Sequence, residues 1–259
     1  PQGPGTNPAD YTPQPHLATS WEVSDDSLTY TFQLQKGVKW ASDKVEVDTS
    51  QDVTAQDWVE LAKISFGVET SRFKNRLPEI DGPESWKAID DYTLQVSLNR
   101  PTASFLYKLA LRGPQMYGIQ GIQARMQSEN IDLEEAMKSP DVQVGTGPWV
   151  MTDWTPDVSV TYESNPNYWK QDGQGNQLPF IDTVEMFVMK DERAQDAGFR
   201  TGKLGAIALE TCGMSTERYL DLNKSNPDTV WEIFVDPTNQ RAVYPNYSAG
   251  TPWQDVRVR

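Results

Sequence analysis

The chain reads as a mixed α/β fold: a twisted mixed sheet with β-hairpins and flanking helices. Three observations predict it. Alternating apolar residues flank the polar turn Ser24–Ser27. A second alternating pair flanks Thr155-Pro156-Asp157. Between them, Thr54 and Asp57 stand at capping-box spacing before an amphipathic run.

Residues 1–15 hold five prolines and two glycines and read as an extended surface loop. Trp21 and Val23, then Leu28, Tyr30, Phe32 and Leu34, make the first hairpin. Gly37–Trp40 leads into an acidic loop that ends at Asp52. The Thr54 hydroxyl is placed to accept from the Asp57 amide, and the Asp57 carboxylate to return to the cap. Trp58, Leu61, Ala62 and Phe66 then form the buried stripe of a helix. Ser85–Leu98 reads as a strand or hairpin, with Tyr92, Leu94, Val96 and Leu98 on one face and Arg100-Pro101 as its stop. Ser104–Leu111 is a short helix that turns Phe105, Leu106 and Leu109 inward until Gly113-Pro114 breaks it. Met116–Ile119 is extended, and Ile122–Asn130 and Leu133–Lys138 are helical.

Gly145-Thr146-Gly147-Pro148 is a turn that opens directly into a strand. Its glycines can take positive φ without a Cβ penalty, and Pro148 sets φ at the exit. Trp149, Met151 and Asp153 alternate with Val150, Thr152 and Trp154, and Val158, Val160 and Tyr162 return as a hairpin. Asn165-Pro166-Asn167 closes the block, with Tyr168 and Trp169 packing back beneath it. Asp182–Met189 is a strand, and Glu192–Thr201 a helix stopped by Gly202 at its C′ position. Leu204–Leu209 is a buried strand, Ser215–Lys224 a helix capped by Ser215, and Thr229–Phe234 a strand.

The 259 residues suit one large or two small domains. A hydrophobic share of 37% is low for a large core, and nine Trp partly compensate. A net charge of -14 disfavours nucleic acid and anionic membrane surfaces as partners. The single cysteine, Cys212, forms no intrachain disulfide. No window approaches the roughly 18 apolar residues of a membrane span. Pro1–Asp10 has neither the basic nor the apolar part of a signal peptide.

Catalytic and metal chemistry find little in this sequence. His16, the only histidine, sits beside the Pro-rich loop and reads as a solvated or hydrogen-bonding side chain. No G-x-S-x-G, H-E-x-x-H or Walker pattern is present. The acid pairs Asp25-Asp26, Asp90-Asp91 and Glu134-Glu135 fall in turns or on a polar helix face. One His and one Cys do not build a zinc site, so no metal and no cofactor is expected. The Gly145–Pro148 turn precedes a strand, so its amides do not converge on a helix N-terminus as a phosphate cradle would require. It orders the fold, or in addition lines a ligand cleft.

Val144–Trp169 resembles the "GTGPY … N.nYW" signature of the family 5 solute-binding proteins of bacterial and archaeal ABC importers. His16–Trp40 resembles that family's "LA.sW..s.Dg.tytF.LR.gvkw" strand pair, and Val53–Ala62 its "lTAeDV" helix start. Ile89–Pro101 is similar to "vDdyTv.f.L..P", and Leu178–Leu209 to "p.iD.v....i.D...a...f..GeiD". Pro252–Arg259 is similar to "pPf.DvrVRqAl". The motifs occur in family order along nearly the whole chain.

The resemblance implies a periplasmic-binding-protein-like lobe. Residues 1–238 would form an incomplete first lobe, and residues 239–259 the crossover and start of a truncated second. The chain thus reads as a fragment, expected to leave sheet edges open and to bind ligand weakly by itself. The implied function is the substrate-binding component of an ABC importer. It captures a peptide or similar polar organic solute in an interlobe cleft and delivers it to permease subunits. It would be a binder and not an enzyme, and monomeric at full length. It would be periplasmic or extracellular, anchored as a lipoprotein if the missing N-terminus carries the signal. The alternatives are a carbohydrate-active hydrolase using Trp platforms and two acids, or an oligosaccharide-binding member of the same scaffold.

In the resembled family the segment at Leu111–Ile119 reaches the cleft. Arg112, Gln115, Met116 and Tyr117 are therefore the expected ligand contacts, although Met116 and Tyr117 serve equally well as core residues. The strand end at Thr211–Met214 adds Cys212 and Gly213, with Cys212 read as a small buried hydrophobe. The crossing strand Asn239–Tyr247 adds Tyr244. Gly205 stands where the family usually has Asp, so any role of that acid is lost.

Overall fold

Alternation builds the first sheet as expected. β1 (Ala18–Val23) and β2 (Thr29–Leu34) pair antiparallel across the Ser24–Ser27 turn. In the turn, the Asp26 carboxylate accepts from the Ser24 hydroxyl at 2.5 Å and from the Leu28 amide at 3.0 Å, while Ser27 takes φ 58°. β3 (Trp86–Asp90) and β4 (Thr93–Ser97) form a second hairpin, and the strand order is β1-β2-β4-β3. The computed structural model describes residues 12–67, 76–110, 118–139, 142–207 and 214–227.

Register places the apolar side chains of the first sheet in rows. Tyr30, Val96 and Trp86 lie side by side on β2, β4 and β3, and Phe32, Leu94 and Ala88 form the next row. Helix α1 (Ala55–Gly67) covers this face with Ala55, Ala62 and Phe66, and its Trp58 stacks on Trp86 at 6.5 Å with parallel rings. Helix α2 (Phe105–Ala110) inserts Phe105, whose ring centre lies 4.8 Å from that of Tyr30.

The start of α1 departs from the expected capping box in one detail. The Asp57 carboxylate does return to the cap, accepting from the Thr54 amide at 2.7 Å. The Thr54 hydroxyl also donates to that carboxylate, at 3.0 Å, and the Asp57 amide goes to the Thr54 carbonyl at 3.2 Å. A hydroxyl proton gains more from a charged acceptor than its oxygen gains from a neutral amide.

The second sheet contains β5 (Trp149–Thr155), β6 (Ser159–Ser164) and β7 (Thr183–Phe187) in that order. The mixed α/β class holds as expected, and where a twisted mixed sheet was anticipated the described strands form two sheets, both antiparallel throughout. The turns within β1–β2, β3–β4 and β5–β6 are too short for the crossover that a parallel pair needs. Helices α3 (Gln120–Glu129) and α4 (Leu133–Ala136) follow the first sheet. Arg125 on α3 joins them by donating to the Glu135 and Ala136 carbonyls at 3.2 and 3.1 Å. A Cβ at Gly121 would stand 2.3 Å from the Val142 carbonyl oxygen, so only glycine lets α3 approach that segment.

The chain divides into two units, Pro1–Gln2 with Tyr11–Ala194, and Gly3–Asp10 with Gln195–Arg259. The expected lobe boundary at 238/239 lies outside the described residues. Helix α5 (Glu192–Arg200) runs across the division, and α6 (Thr216–Ser225) belongs to the second unit. Ser215 caps α6 as expected, its hydroxyl accepting from the Arg218 amide at 3.2 Å. Arg218 donates to Asp196 at 2.8 Å, Arg200 pairs with Asp221, and Leu222 is fully buried.

The expected buried strand at Leu204–Leu209 is not formed where the structure describes it. Residues 204–207 are irregular, and Gly205 and Ala206 are exposed. Gly202 takes φ 72°, and the amides of Lys203 and Leu204 both turn back to the Gly198 carbonyl, at 2.9 and 3.1 Å. Amides used to close the helix end are not available to a ladder. The strand expected at Thr229–Phe234 lies outside the described residues.

One buried charge supports the first core. Glu79 is fully buried and accepts from Lys108 of α2 at 2.8 and 3.0 Å. Replacing Lys108 with Met leaves that carboxylate uncompensated. It should lower unfolding free energy by about 3 kcal/mol in urea titrations. Adding Glu79→Gln to the Lys108→Met chain should recover most of the loss.

Candidate functional site

The Gly145–Trp169 block is ordered and holds the described features that suit a ligand site. Its opening turn is held from three sides. Ala41 and Gly145 exchange backbone hydrogen bonds at 2.8 and 3.0 Å, and the Gly118 amide donates to the Val144 carbonyl at 2.8 Å. Asn165, 2% exposed, donates its side-chain amide to the Gly147 carbonyl and its backbone amide to the Pro148 carbonyl, each at 2.8 Å. Its Oδ1 accepts from the Asn167 amide at 2.9 Å.

The positive φ expected at Gly145 and Gly147 is not used. Neither residue lies in the left-handed region, and a Cβ at either would meet its nearest atom only at 3.9 and 4.0 Å. Asn165, not glycine flexibility, sets the turn.

Beneath it, Val38, Trp40, Val53 and Val144 form a small core against which Trp169 packs, as expected for the end of the block. His16 stands edge-on to Trp169 at 5.1 Å, and the Lys170 ammonium lies 5.3 Å from the same ring. Burial first, and the Lys170 charge second, push the His16 pKa from 6.5 down to about 4. The neighbouring loop is closed by Asp52, which accepts from Lys39, Tyr92 and the Gly37 amide, each at 2.7 Å. Those bonds, Lys39 foremost, hold Asp52 down to about 2.

Strand β5 carries a bulge between Met151 and Asp153. Met151 faces Tyr162, Asp153 faces Thr161, and Trp154 faces Val160. Val160 and Tyr162 share one face of β6, so Trp154 joins Met151 and Trp149 on that face. Simple alternation places Trp154 opposite Met151; the extra residue overturns that. On this face lies a cavity of about 670 Å³. Trp149, Met151, Trp154 and Tyr162 line it, with Ile122 of α3 and the residues Met137 and Lys138 that follow α4. Lys138 is engaged by Glu135 at 2.6 Å, and that carboxylate raises its pKa.

Arg112, Gln115, Met116, Tyr117, Cys212, Gly213 and Tyr244 all lie outside the described residues. The cavity residues Trp154, Tyr162 and Met137 were not anticipated; the only sequence signal was a second Trp on a strand with a polar partner face. The acid pairs do fall in turns and on a helix. Asp26 closes the first turn, the Asp90 carboxylate accepts from the Tyr92 amide at 2.8 Å, and Glu135 pairs with Lys138. Among the described residues, no group of three or more His, Cys, Asp or Glu is placed to hold a metal ion.

Two antiparallel sheets with helices match the periplasmic-binding-protein fold in partial coverage. The chain belongs to the bacterial extracellular solute-binding proteins, family 5, whose model matches residues 12–259. It is 31% identical to Heme-binding protein A of Haemophilus influenzae, across 95% of this chain and 43% of that protein. It is 32% identical to the dipeptide-binding protein of Escherichia coli, across 68% of this chain and 32% of that one. Among solved structures it is similar to the periplasmic binding protein DppA of Helicobacter pylori in complex with the peptide STSA. That match has TM-score 0.58 and 26% identity, over 74% of this chain and 37% of that one. It is also similar to MoaA of A. tumefaciens R10 in complex with mannopinic acid. There the TM-score is 0.60 at 25% identity, over 82% of this chain and 37% of that one. The chain spans less than half the length of these proteins.

Asn165→Leu should destabilise the protein by about 2 kcal/mol, because it strands the buried Gly147 carbonyl. Gly147→Ala should stay within about 1 kcal/mol of the parent, since the site has room and an ordinary φ. Urea midpoints of the two variants decide between clasp and glycine.

A pH test follows from His16. Its folded pKa lies below its unfolded value, so the unfolded chain binds more protons between the two. Its contribution should be full above about pH 6.5 and decline as pH falls toward 4. Asp52 should act later, losing its contribution below its ordinary 3.8 as pH falls through about 2. In thermal melts from pH 7.5 to 4 the parent should lose stability relative to His16→Phe on acidification, as the parent alone loses the His16 contribution. A constant offset between them would refute the linkage.

Proposed function

We propose that the protein supplies the solute-capturing part of an ABC importer. It takes up a peptide or similar polar organic solute outside the cytoplasmic membrane and passes it to permease subunits. The observation that carries this reading is the family match over residues 12–259. Relatives named for dipeptides and oligopeptides support a peptide-like solute, and the MoaA complex shows that this scaffold also takes other polar organic acids. Affinity would arise from desolvating the ligand in a closing cleft, not from bond chemistry.

Arg112, Gln115, Met116 and Tyr117 would form one wall, with Cys212, Gly213 and Tyr244 as further contacts. A guanidinium and an amide suit a carboxylate or peptide group, and Met and Tyr adapt to varied side chains. We place the protein in the periplasm or outside the cell, where the family is described as acting. Lipoprotein anchoring and a monomeric state belong to the same proposal. No helix among the described residues is long and apolar enough to cross a membrane.

Calorimetric titration of the gene product at its natural length, with di-, tri- and oligopeptides, nickel chelates and oligosaccharides, tests the reading. Binding of peptides is expected, with Arg112→Ala weakening it about tenfold. Silence across the whole panel would overturn solute capture.

A further inference from the structure

We propose that the cavity on the inner face of β5 and β6 is a subsite for an uncharged aromatic group of the captured solute. This rests on reading the protein as a solute binder. The β5 bulge is the first argument. A regular strand would turn Trp154 away from Met151. The extra residue brings both Trp149 and Trp154 to one cavity, with Met151 and Tyr162 between them in register. Bulges recur where a strand re-aims a side chain at a site. The two rings stay 37% and 43% exposed, large apolar surfaces left to water on the wall of a cavity. A volume of about 670 Å³ lies within the range of organic-ligand sites.

Charge selects the class of ligand. Lys138 is the only charged residue among the described residues lining the cavity, and Glu135 neutralises it at 2.6 Å. A cationic group entering here would give up hydration without a counter-ion and would face the Lys138 ammonium. A flat neutral ring gains edge or face contact with both Trp rings and sulfur contact with Met151 and Met137. Gln143, also on the wall, offers hydrogen bonding to a ring N–H or O–H.

Protein labelled with 5-fluorotryptophan reports on this directly by ¹⁹F NMR, with Trp149→Phe and Trp154→Phe assigning the two resonances. N-acetyl-tryptophanamide is the probe, and N-acetyl-lysinamide the charged control. Both resonances should move with the aromatic probe and hold still with the control. Trp154→Ala should weaken the probe about tenfold while leaving the urea midpoint unchanged, because the ring is half exposed. Equal response to both probes, movement confined to other tryptophans, or unchanged affinity in Trp154→Ala would overturn the proposal. A protein that binds peptides with no preference for aromatic residues and no shift at Trp149 or Trp154 would sink this subsite and leave solute capture standing. Shifts at both rings in a protein silent toward the whole calorimetric panel would overturn solute capture and leave the aromatic-binding cavity standing.

Discussion

The described part of the first unit depends on one buried amide. Asn165 hydrogen-bonds the carbonyls on both sides of the Gly147-Pro148 bond, and so fixes where β5 leaves its turn. From that point β5 runs antiparallel to β6, and the bulge further along sets which side chains meet the cavity. The same turn reaches back to the first sheet's trailing loop through the Ala41–Gly145 pair and to α3 through Gly118. A buried side-chain amide is costly unless both its ends are used; here Nδ2 donates to the Gly147 carbonyl and Oδ1 accepts from the Asn167 amide. Loss of Asn165 therefore disturbs the sheet, the loop and the cavity wall together.

The acidic character has a local explanation that does not involve a ligand. Asp26, Asp48, Asp90 and Asp172 each accept hydrogen bonds from residues two to four positions away, with Ser24, Ser50, Tyr92 and Asn176 respectively the foremost donors, and each is held below its ordinary pKa by such bonds. Asp52 does the same work at longer range, joining Lys39, Tyr92 and Gly37. These carboxylates are thus devoted to turns and loops. The surface stays strongly anionic, which favours solubility and disfavours polyanionic partners.

The two sheets differ in how they use their apolar faces. The first sheet is closed by α1 and α2, and its Tyr30, Phe32, Leu94 and Val96 are buried. The second leaves Trp149, Trp154 and Met186 partly in water. Strand β7 carries Phe187 exposed as well, followed by exposed Val188, so this sheet presents apolar surface on its face and near its edge. Burial in the first sheet anchors the unit; exposure in the second leaves surface on which recognition can be built.

Local signals in the sequence determined the hairpins at Ser24–Ser27 and Thr155–Asp157, the start of α1, the Ser215 cap and the return of Trp169 beneath its turn. Each is decided by a few neighbouring residues through period, turn chemistry or a short side-chain bond. Ordered motifs were enough to show the family as well. What the tertiary structure decided needed partners far along the chain. A bulge is a mismatch between two strands, so the face taken by Trp154 follows from pairing with β6 and not from spacing in β5. The division into two antiparallel sheets and the capture of the Lys203 and Leu204 amides by Gly198 rest likewise on which hydrogen-bond partner is nearest in space. The Gly145 and Gly147 conformations follow the same rule: composition allowed a left-handed turn, and the buried Asn165 amide selected another.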